Sequence, residues 1–326
     1  MRPAYNPVLT IHENNNAAYN LACEDVLLAG GARRFMLWRN GPSVIIGRHQ
    51  NTRAEADVDF AQAHNINIIR RLSGGGAVYH DLGNVNFTMI QPYNGQLGDF
   101  SGAAALILEF LRDLGVPAQP CGRNDLTADG RKFSGGAQAV RGGHLLTHGT
   151  VLFDADLDTM TRVLTVGAAK YEGRGIASVR GRVVNLREYL PDMTKDMFWE
   201  RVKGYFTGRM EICPLTHVED AEAEELARGR YGSWEWNFGN SPKYTFAKTA
   251  RFDAGCVQAY VDVSDGIVKG IRICGDFFTK GDLNELERVL YGVRHEKSAL
   301  SAMLSNYPVA DVIVGLSNEQ LLSVLV

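Results

Sequence analysis

Two Ser-Gly-Gly segments, each set beside cations, constrain this chain more than any other feature. The first is Arg70-Arg71-Leu72-Ser73-Gly74-Gly75-Gly76-Ala77-Val78-Tyr79-His80-Asp81, and the second is Arg131-Lys132-Phe133-Ser134-Gly135-Gly136-Ala137. Glycine lets a backbone come close to a ligand and aim its N–H groups there. Arg and Lys supply charge for a phosphate or a carboxylate. Both segments are expected to be turns, and together they suggest a nucleotide phosphate and an acid held side by side. The first is not a P-loop, because no Gly-Lys-Ser/Thr follows at the required spacing. Nor is it a dinucleotide fingerprint, since Ala77–His80 has strand composition and no helical period. The expected cradle is strand, turn, strand, with no helix N-terminus at the phosphate.

Three further segments carry chemistry. Cys121-Gly122-Arg123-Asn124-Asp125-Leu126 leads toward the tight-turn dipeptide Asp129-Gly130, and a hairpin there would bring Asp125 and Lys132 together on adjacent strands. Such a pair is either an acid that positions a metal or an amine beside a cation, or exposed charge on an ordinary hairpin. The apolar run Leu145–Phe153 is broken by His148-Gly149-Thr150, where Gly149 points to close approach of another group. That segment alone assigns His148 no proton transfer. Lys170, Arg174, Arg180, Arg182 and Arg187 share their stretch with one acid, Glu172. With Gly173, Gly175 and Gly181 among them, the Gly173–Arg187 stretch reads as solvated surface or as a mobile loop closing over a nucleotide.

Composition sets the remaining bounds. The 326 residues allow two domains. A formal net charge of −3 argues against a general nucleic-acid binder. The cysteines (Cys23, Cys121, Cys213, Cys256 and Cys274) contain no C-x-x-C and are odd in number. This argues against a zinc site or a disulfide framework and for a reducing cytoplasm. Cys121 is expected to be buried packing. No apolar run approaches the ~20 residues of a membrane span, and the start, Met1–Pro7, leads into no targeting segment.

Ala18, Leu21, Ala22, Leu28 and Ala29 share a helical face that stops at Gly30-Gly31. Strand-like runs lie at Phe35–Trp38, Ser43–Ile46, Ile66–Arg70, Ala77–His80, Asn86–Ile90 and Leu145–Phe153. Helical patterns lie at Ala103–Leu114, Asp156–Leu164 and Lys195–Thr207. Without a strict β-α-β rhythm the fold class is α/β of the α+β kind, with mixed, largely antiparallel sheets and flanking helices. The polar, turn-rich Asn237–Lys243 reads as a linker. The expected domains are therefore residues 1–243 and a compact α+β domain over 244–326. The latter has strands at Tyr244–Phe252, Val257–Val263 and Val268–Ile273, and helices at Leu283–Leu290, Lys297–Leu304 and Glu319–Leu325.

The ordered set RRLSGGGAVYHDLGNVNF, GRNDL, RKFSGGA, HGTVLF and GIASVRGRVVNLREYLP, followed by Trp234-Glu235-Trp236-Asn237-Phe238-Gly239, resembles the lipoate–protein ligase A family over nearly the whole chain. The resemblance implies the biotin/lipoate-protein-ligase fold, a catalytic domain with a small C-terminal accessory domain. It also implies two steps. Lipoate and ATP, with Mg2+, give lipoyl-AMP and pyrophosphate. The lipoyl group then passes to a lysine of an acceptor domain, either the E2 component of a 2-oxoacid dehydrogenase or the glycine-cleavage H protein.

By resemblance, Lys132 bridges carboxylate and α-phosphate as the catalytic cation. ATP and adenylate contacts fall on Arg71, Gly76, Ala77, Val78, Tyr79, Lys132, Ser178, Arg180 and Asn185. The lipoyl group falls to Trp38, Arg71, Ser73, Gly74, Gly75, Val78, His80, Lys132, Leu146 and His148, with Glu24 as a pocket-lining acid. Asn84 and Asp125 are candidates for magnesium or the acceptor amine. Leu146 stands where the family often has an aromatic residue, which would widen the tail pocket. The implied partners include neither nucleic acid nor membrane. The alternatives are an octanoyltransferase or lipoyltransferase of the same fold, and a non-catalytic lipoate-binding protein. An octanoyltransferase needs a cysteine thiolate, and none lies between Cys121 and Cys213. Retention of both glycine segments and Lys132 argues against simple binding.

Overall fold

A computed structural model describes residues 7–31, 33–122, 124–164, 182–241, 244–275, 277, 279 and 281–326. The chain divides into two units, Met1–Asn237 and Phe238–Val326. The first unit runs β1 (Val8–Ile11), α1 (Ala17–Gly30), β2 (Arg34–Trp38), β3 (Ser43–Ile46), α2 (Thr52–Glu55), α3 (Val58–Ala63), β4 (Asn67–Arg70), β5 (Val78–His80) and β6 (Asn84–Pro92). It continues with α4 (Ser101–Asp113), β7 (Ala118–Cys121), β8 (Asp125–Ala128), β9 (Arg131–Arg141), β10 (His144–Leu152), α5 (Leu157–Val163), α6 (Lys195–Thr207) and α7 (His217–Leu226).

Seven strands pair in the order β1-β2-β6-β10-β9-β8-β7, and three more in the order β4-β3-β5. The pairs β1–β2 and β3–β4 are parallel. The other described pairs of this unit are antiparallel, giving the mixed, largely antiparallel architecture expected. The large sheet is covered on both faces, so β2 reads as a continuous apolar run over Phe35–Trp38. Strand alternation assigns the faces. Phe35 and Leu37 of β2 join the core with α4 and α6, while Met36 and Trp38 join the core with α1.

Three expectations change. The second Ser-Gly-Gly segment is no turn: Ser134, Gly135 and Gly136 lie inside the 11-residue β9, the first two paired with β8 and Gly136 with β10. The chain reverses instead at Asp129-Gly130, where φ is +48° and +75°. Positive φ at both central residues is the geometry of a two-residue hairpin loop. Cys121 is exposed, because it ends β7, the edge strand of the sheet. Asn237 is not a free linker residue. It sits buried in a helical turn, Glu235–Gly239, accepting from the Arg70 backbone N–H at 2.8 Å and donating to the Tyr231 carbonyl at 2.7 Å.

The second unit is an antiparallel sheet of β11 (Tyr244–Phe252), β12 (Gly255–Ser264) and β13 (Ile267–Gly275). Val257, Ala259, Val261 and Val263 alternate inward. They pack on α8 (Leu283–Val289), α9 (Lys297–Ser305) and α10 (Asn318–Leu325) through Leu286, Leu300, Leu304 and Leu321.

Candidate active site

The cradle expected from the first glycine segment is present: β4, the turn through Gly74–Gly76, then β5, with β3 between the two strands. Its cation is turned inward. Arg71 donates from Nε to Ser73 Oγ (2.9 Å), from Nη1 to Ile45 O (3.0 Å), and from Nη2 to Gly74 O (2.7 Å) and Gly76 O (2.8 Å). Four donated bonds make this guanidinium the internal brace of the turn. Burial pulls its pKa down to about 10 against the opposing charge of Glu24, so it remains cationic at neutral pH. Gly75 has φ +93°. Gly47, unremarked in the sequence, is the turn's outer stop: a Cβ there would lie 2.0 Å from the Gly75 carbonyl oxygen.

The hairpin brings its charges together as expected. Lys132 Nζ lies 2.8 Å from Asp125 Oδ1, with side chains 43% and 35% exposed. At that exposure the pair adds little stability, so its interest is positional. Beside it, the Lys132 N–H donates to Arg182 O at 2.8 Å and the Val184 N–H donates to Lys132 O at 2.9 Å. The end of the basic stretch is thus stitched to the lysine. Ser178, Arg180 and the lid expected from Gly173 onward as far as Gly181 lie outside the described residues.

Both glycine segments open onto one cavity of about 200 Å³. Of the expected contacts, Trp38, Arg71, Gly75, Gly76, Ala77, Val78, His80, Lys132 and His148 line it. The others lie elsewhere. Tyr79 points away, because β5 alternates, and packs with Val44 and Met160. Ser73, Glu24 and Leu146 are buried behind the wall. Gly74 belongs to the turn but not to the wall. Asn185 is held by Ala155, accepting from its N–H at 3.1 Å and donating to its carbonyl at 2.9 Å. Asn84 is fully buried, and Asp125 lines a separate cavity.

Leu21, Ile45, Asn86, Asn124, Gly135, Gly136, Ala137, Gly149 and Thr150 also line the first cavity and were not among the expected contacts. Asn86 and Asn124 sit inside motifs already noted, whereas Leu21 and Ile45 look like ordinary core in sequence. The close neighbour foreseen at Gly149 is Phe87: a Cβ would meet its ring at 2.4 Å.

A buried polar chain braces the cavity wall. Arg71 donates to Ser73, and Ser73 Oγ lies 2.6 Å from His148 Nε2. His148 Nδ1 lies 2.9 Å from Glu24 Oε1. Trp38 Nε1 donates to Thr88 Oγ1 (3.0 Å), which donates to Glu24 Oε1 (2.5 Å). These directions assign the His148 proton to Nδ1. Both ring nitrogens are occupied, so His148 shapes the wall and has no free nitrogen for a reactant.

His80 is different. Asn20 donates to Asn40 Oδ1, which fixes the Asn40 amide so that its Nδ2 donates to His80 Nδ1 at 3.1 Å. The His80 proton is then on Nε2, which is buried and has no hydrogen-bond partner among the described residues. Burial, helped by the charge of Arg71, pushes the His80 pKa down to about 3. It is a neutral donor on the cavity wall.

Residues 16–207 match the lipoyl protein ligase A/B catalytic domain, and residues 241–325 match the bacterial lipoate protein ligase C-terminus. A lipoate–protein ligase of Bacillus subtilis is 34% identical over 321 residues, covering 95% of this chain and 97% of that protein. A bi-partite archaeal lipoate protein ligase from Thermoplasma acidophilum, described together with its E2 lipoyl domain, is 30% identical. It superposes with a TM-score of 0.65 over 73% of this chain and 98% of its own. A lipoate–protein ligase A bound with ATP is 28% identical and superposes with a TM-score of 0.61 over 72% and 100%.

Proposed function

This chain belongs to the lipoate–protein ligase family, and from that premise we propose how its cavity performs the family's chemistry. The protein is an ATP-dependent ligase. It activates lipoate to lipoyl-AMP and transfers the lipoyl group to a lysine ε-amine. The observation that carries the residue assignment is the shared cavity, with the Lys132 ammonium on one wall and the Gly75–Gly76 turn on another.

The first step brings a carboxylate and a triphosphate together. A carboxylate oxygen attacks the α-phosphorus, a P–O bond forms, and pyrophosphate leaves. Lys132 Nζ supplies positive charge between the two anions, where it is worth most as charge gathers in the transition state. The turn offers backbone N–H groups, and His80 Nε2–H offers a neutral donor. Leu21, Trp38, Ile45 and Val78 give the acyl chain an apolar wall.

Asn84 is fully buried and lines neither cavity, and Asp125 lines the separate one, so these two oxygens do not fit a Mg2+ held against the nucleotide. Among the described residues no three His, Cys, Asp or Glu side chains converge. Magnesium would therefore enter with ATP, held by its phosphates and screening their charge.

Acceptors are lipoyl domains of 2-oxoacid dehydrogenase E2 components or the glycine-cleavage H protein; the archaeal relative described with its E2 lipoyl domain supports the first. The setting is the cytoplasm. No described helix is long and apolar enough to cross a membrane. Lipoate-dependent ATP–pyrophosphate exchange is the test. Exchange is expected with lipoate present and absent without it, and no exchange in either case would overturn the reading.

A further inference from the structure

We infer that the side-chain amide of Asn86 is a catalytic donor that holds the acyl oxygen of lipoate and of lipoyl-AMP, an inference that rests on the ligase reading above. Asn86 lines the first cavity and is 1% exposed. Its Oδ1 accepts from Asn84 Nδ2 at 2.9 Å, while its own Nδ2 is buried with no hydrogen-bond partner among the described residues. His80 Nε2 is in the same condition on the same wall. Leaving a buried donor unpaired costs stability. An apolar side chain would avoid that cost, and Trp38 beside it shows that the wall accepts one. A ligand oxygen that pairs with the donor removes the cost as well.

Strand register places this donor. Trp38 of β2 stands opposite Asn86 of β6, and Thr150 of β10 stands opposite it on the other side. Directly opposed residues share a face of the sheet. The Gly135 N–H of β9 donates to Thr150 Oγ1 at 3.3 Å, and all four residues line the cavity. Gly135 has no side chain, and the place its Cβ would take is 3.0 Å from Lys132 Nζ. The row thus runs from the Trp38 ring, past Asn86 and Thr150, to the Lys132 ammonium. Strands β6 and β9 are two strand spacings apart, about 10 Å. A carboxyl group with a hydrogen bond of about 2.9 Å at each oxygen bridges donors roughly 8 Å apart. That span fits Asn86 at one oxygen and Lys132 at the other, with the acyl chain leading on toward Trp38.

The two donors divide the work. Lys132 faces the oxygen that attacks the α-phosphorus, where a cation lies between two anions. Asn86 takes the other oxygen, which becomes the carbonyl of the mixed anhydride. In transfer, an acceptor amine that has lost one proton to water attacks the carbonyl carbon. Its lone pair forms the C–N bond, and the carbonyl π pair moves onto the oxygen. That pair returns as the C–O bond to phosphate breaks. AMP leaves with the bonding electrons, and the nitrogen gives a second proton to water. A donor fixed on this oxygen is worth most while the oxygen carries that negative charge.

Two stable adenylate analogues of equal charge test this. The first is a β-ketophosphonate of adenosine, which keeps the acyl carbonyl and has CH2 in place of the bridging oxygen. The second has CH2 in place of that carbonyl as well. By calorimetry the wild type should bind the keto analogue about ten-fold more tightly, the worth of one well-placed hydrogen bond. Asn86→Ala should lose about ten-fold on the keto analogue and less than about two-fold on the other. It should also slow lipoyl transfer to an apo acceptor by ~10²–10³. Equal wild-type affinities, or a preference for the carbonyl undiminished in Asn86→Ala, would overturn the inference. If Asn86→Ala does not fold, Asn86→Ser and the wild-type comparison decide. Absence of lipoate-dependent pyrophosphate exchange in the wild type would instead overturn the ligase reading, so the two failures are distinct.

Discussion

At the scale of residues, the site depends on atoms that are absent as much as on atoms that are present. Gly75 adopts φ +93°, and a Cβ there would lie 3.0 Å from Arg71 Nη2. Gly75→Val therefore combines backbone strain of about 1–3 kcal/mol with displacement of the brace. Both denaturant stability and lipoyl-AMP formation should drop, and wild-type adenylation in that variant would contradict the assigned role. Gly47→Ala should act through the same turn, because its Cβ would meet a carbonyl oxygen at 2.0 Å. A raised KM for ATP in a protein that still folds is the expected result. Lys132→Ala should leave the fold intact, since its ion pair is partly exposed and adds little stability. It should slow adenylation by ~10²–10³. The sequence made Lys132 and the first glycine run visible, because cation and glycine are unusual side by side. It hid Gly47, Leu21 and Ile45, whose roles depend on which distant chain they face.

At the scale of elements, period and turn chemistry explain what was legible. Strands β2, β3, β4 and β5 follow apolar runs closely, and α1 ends at Gly31, with φ +72°, where the glycine pair predicts a stop. The error over Ser134–Gly136 came from treating glycine as a turn former. Here a hairpin turn at Asp129-Gly130 had already reversed the chain, and the glycines serve close approach within a strand. α1 misled in another way. One apolar face was visible, but Asn20–Leu28 is buried throughout, including Glu24 and Asp25. Those acids are tolerated because Glu24 meets His148 and Thr88, and Asp25 meets Arg141 and Arg230. The helical turn at Glu235–Gly239 was equally hidden, since its polar sequence resembles a linker. Asn237→Ala would leave the Arg70 N–H and the Tyr231 carbonyl without their bonds. A loss of about 1–3 kcal/mol in urea unfolding is expected. No loss would mean that the turn is not a clamp on β4.

At the scale of the whole molecule, buried histidines couple folding to pH. Burial lowers the His12 pKa to about 4, against a smaller opposing effect of Asp220, and His80 falls to about 3. An unfolded histidine titrates near 6.5. Below that pH the unfolded chain binds protons that these two folded sites refuse. Stability therefore falls as pH drops from about 6.5 toward 4, by an amount on the order of a few kcal/mol. Urea titrations across that window should show the decline, and His80→Gln should make it shallower. Activity above pH 6.5 should show no inflection from His80, which stays neutral throughout.

The central claim is that one cavity joins an acid to ATP and that the product acylates a lysine. The most direct measurement is the mass of an apo lipoyl domain after incubation with this protein, ATP, Mg2+ and lipoate. One lipoyl adduct, confined to a single lysine and lost when ATP or lipoate is omitted, is the predicted result. An acceptor of unchanged mass, with no AMP formed by a folded protein, would contradict the account.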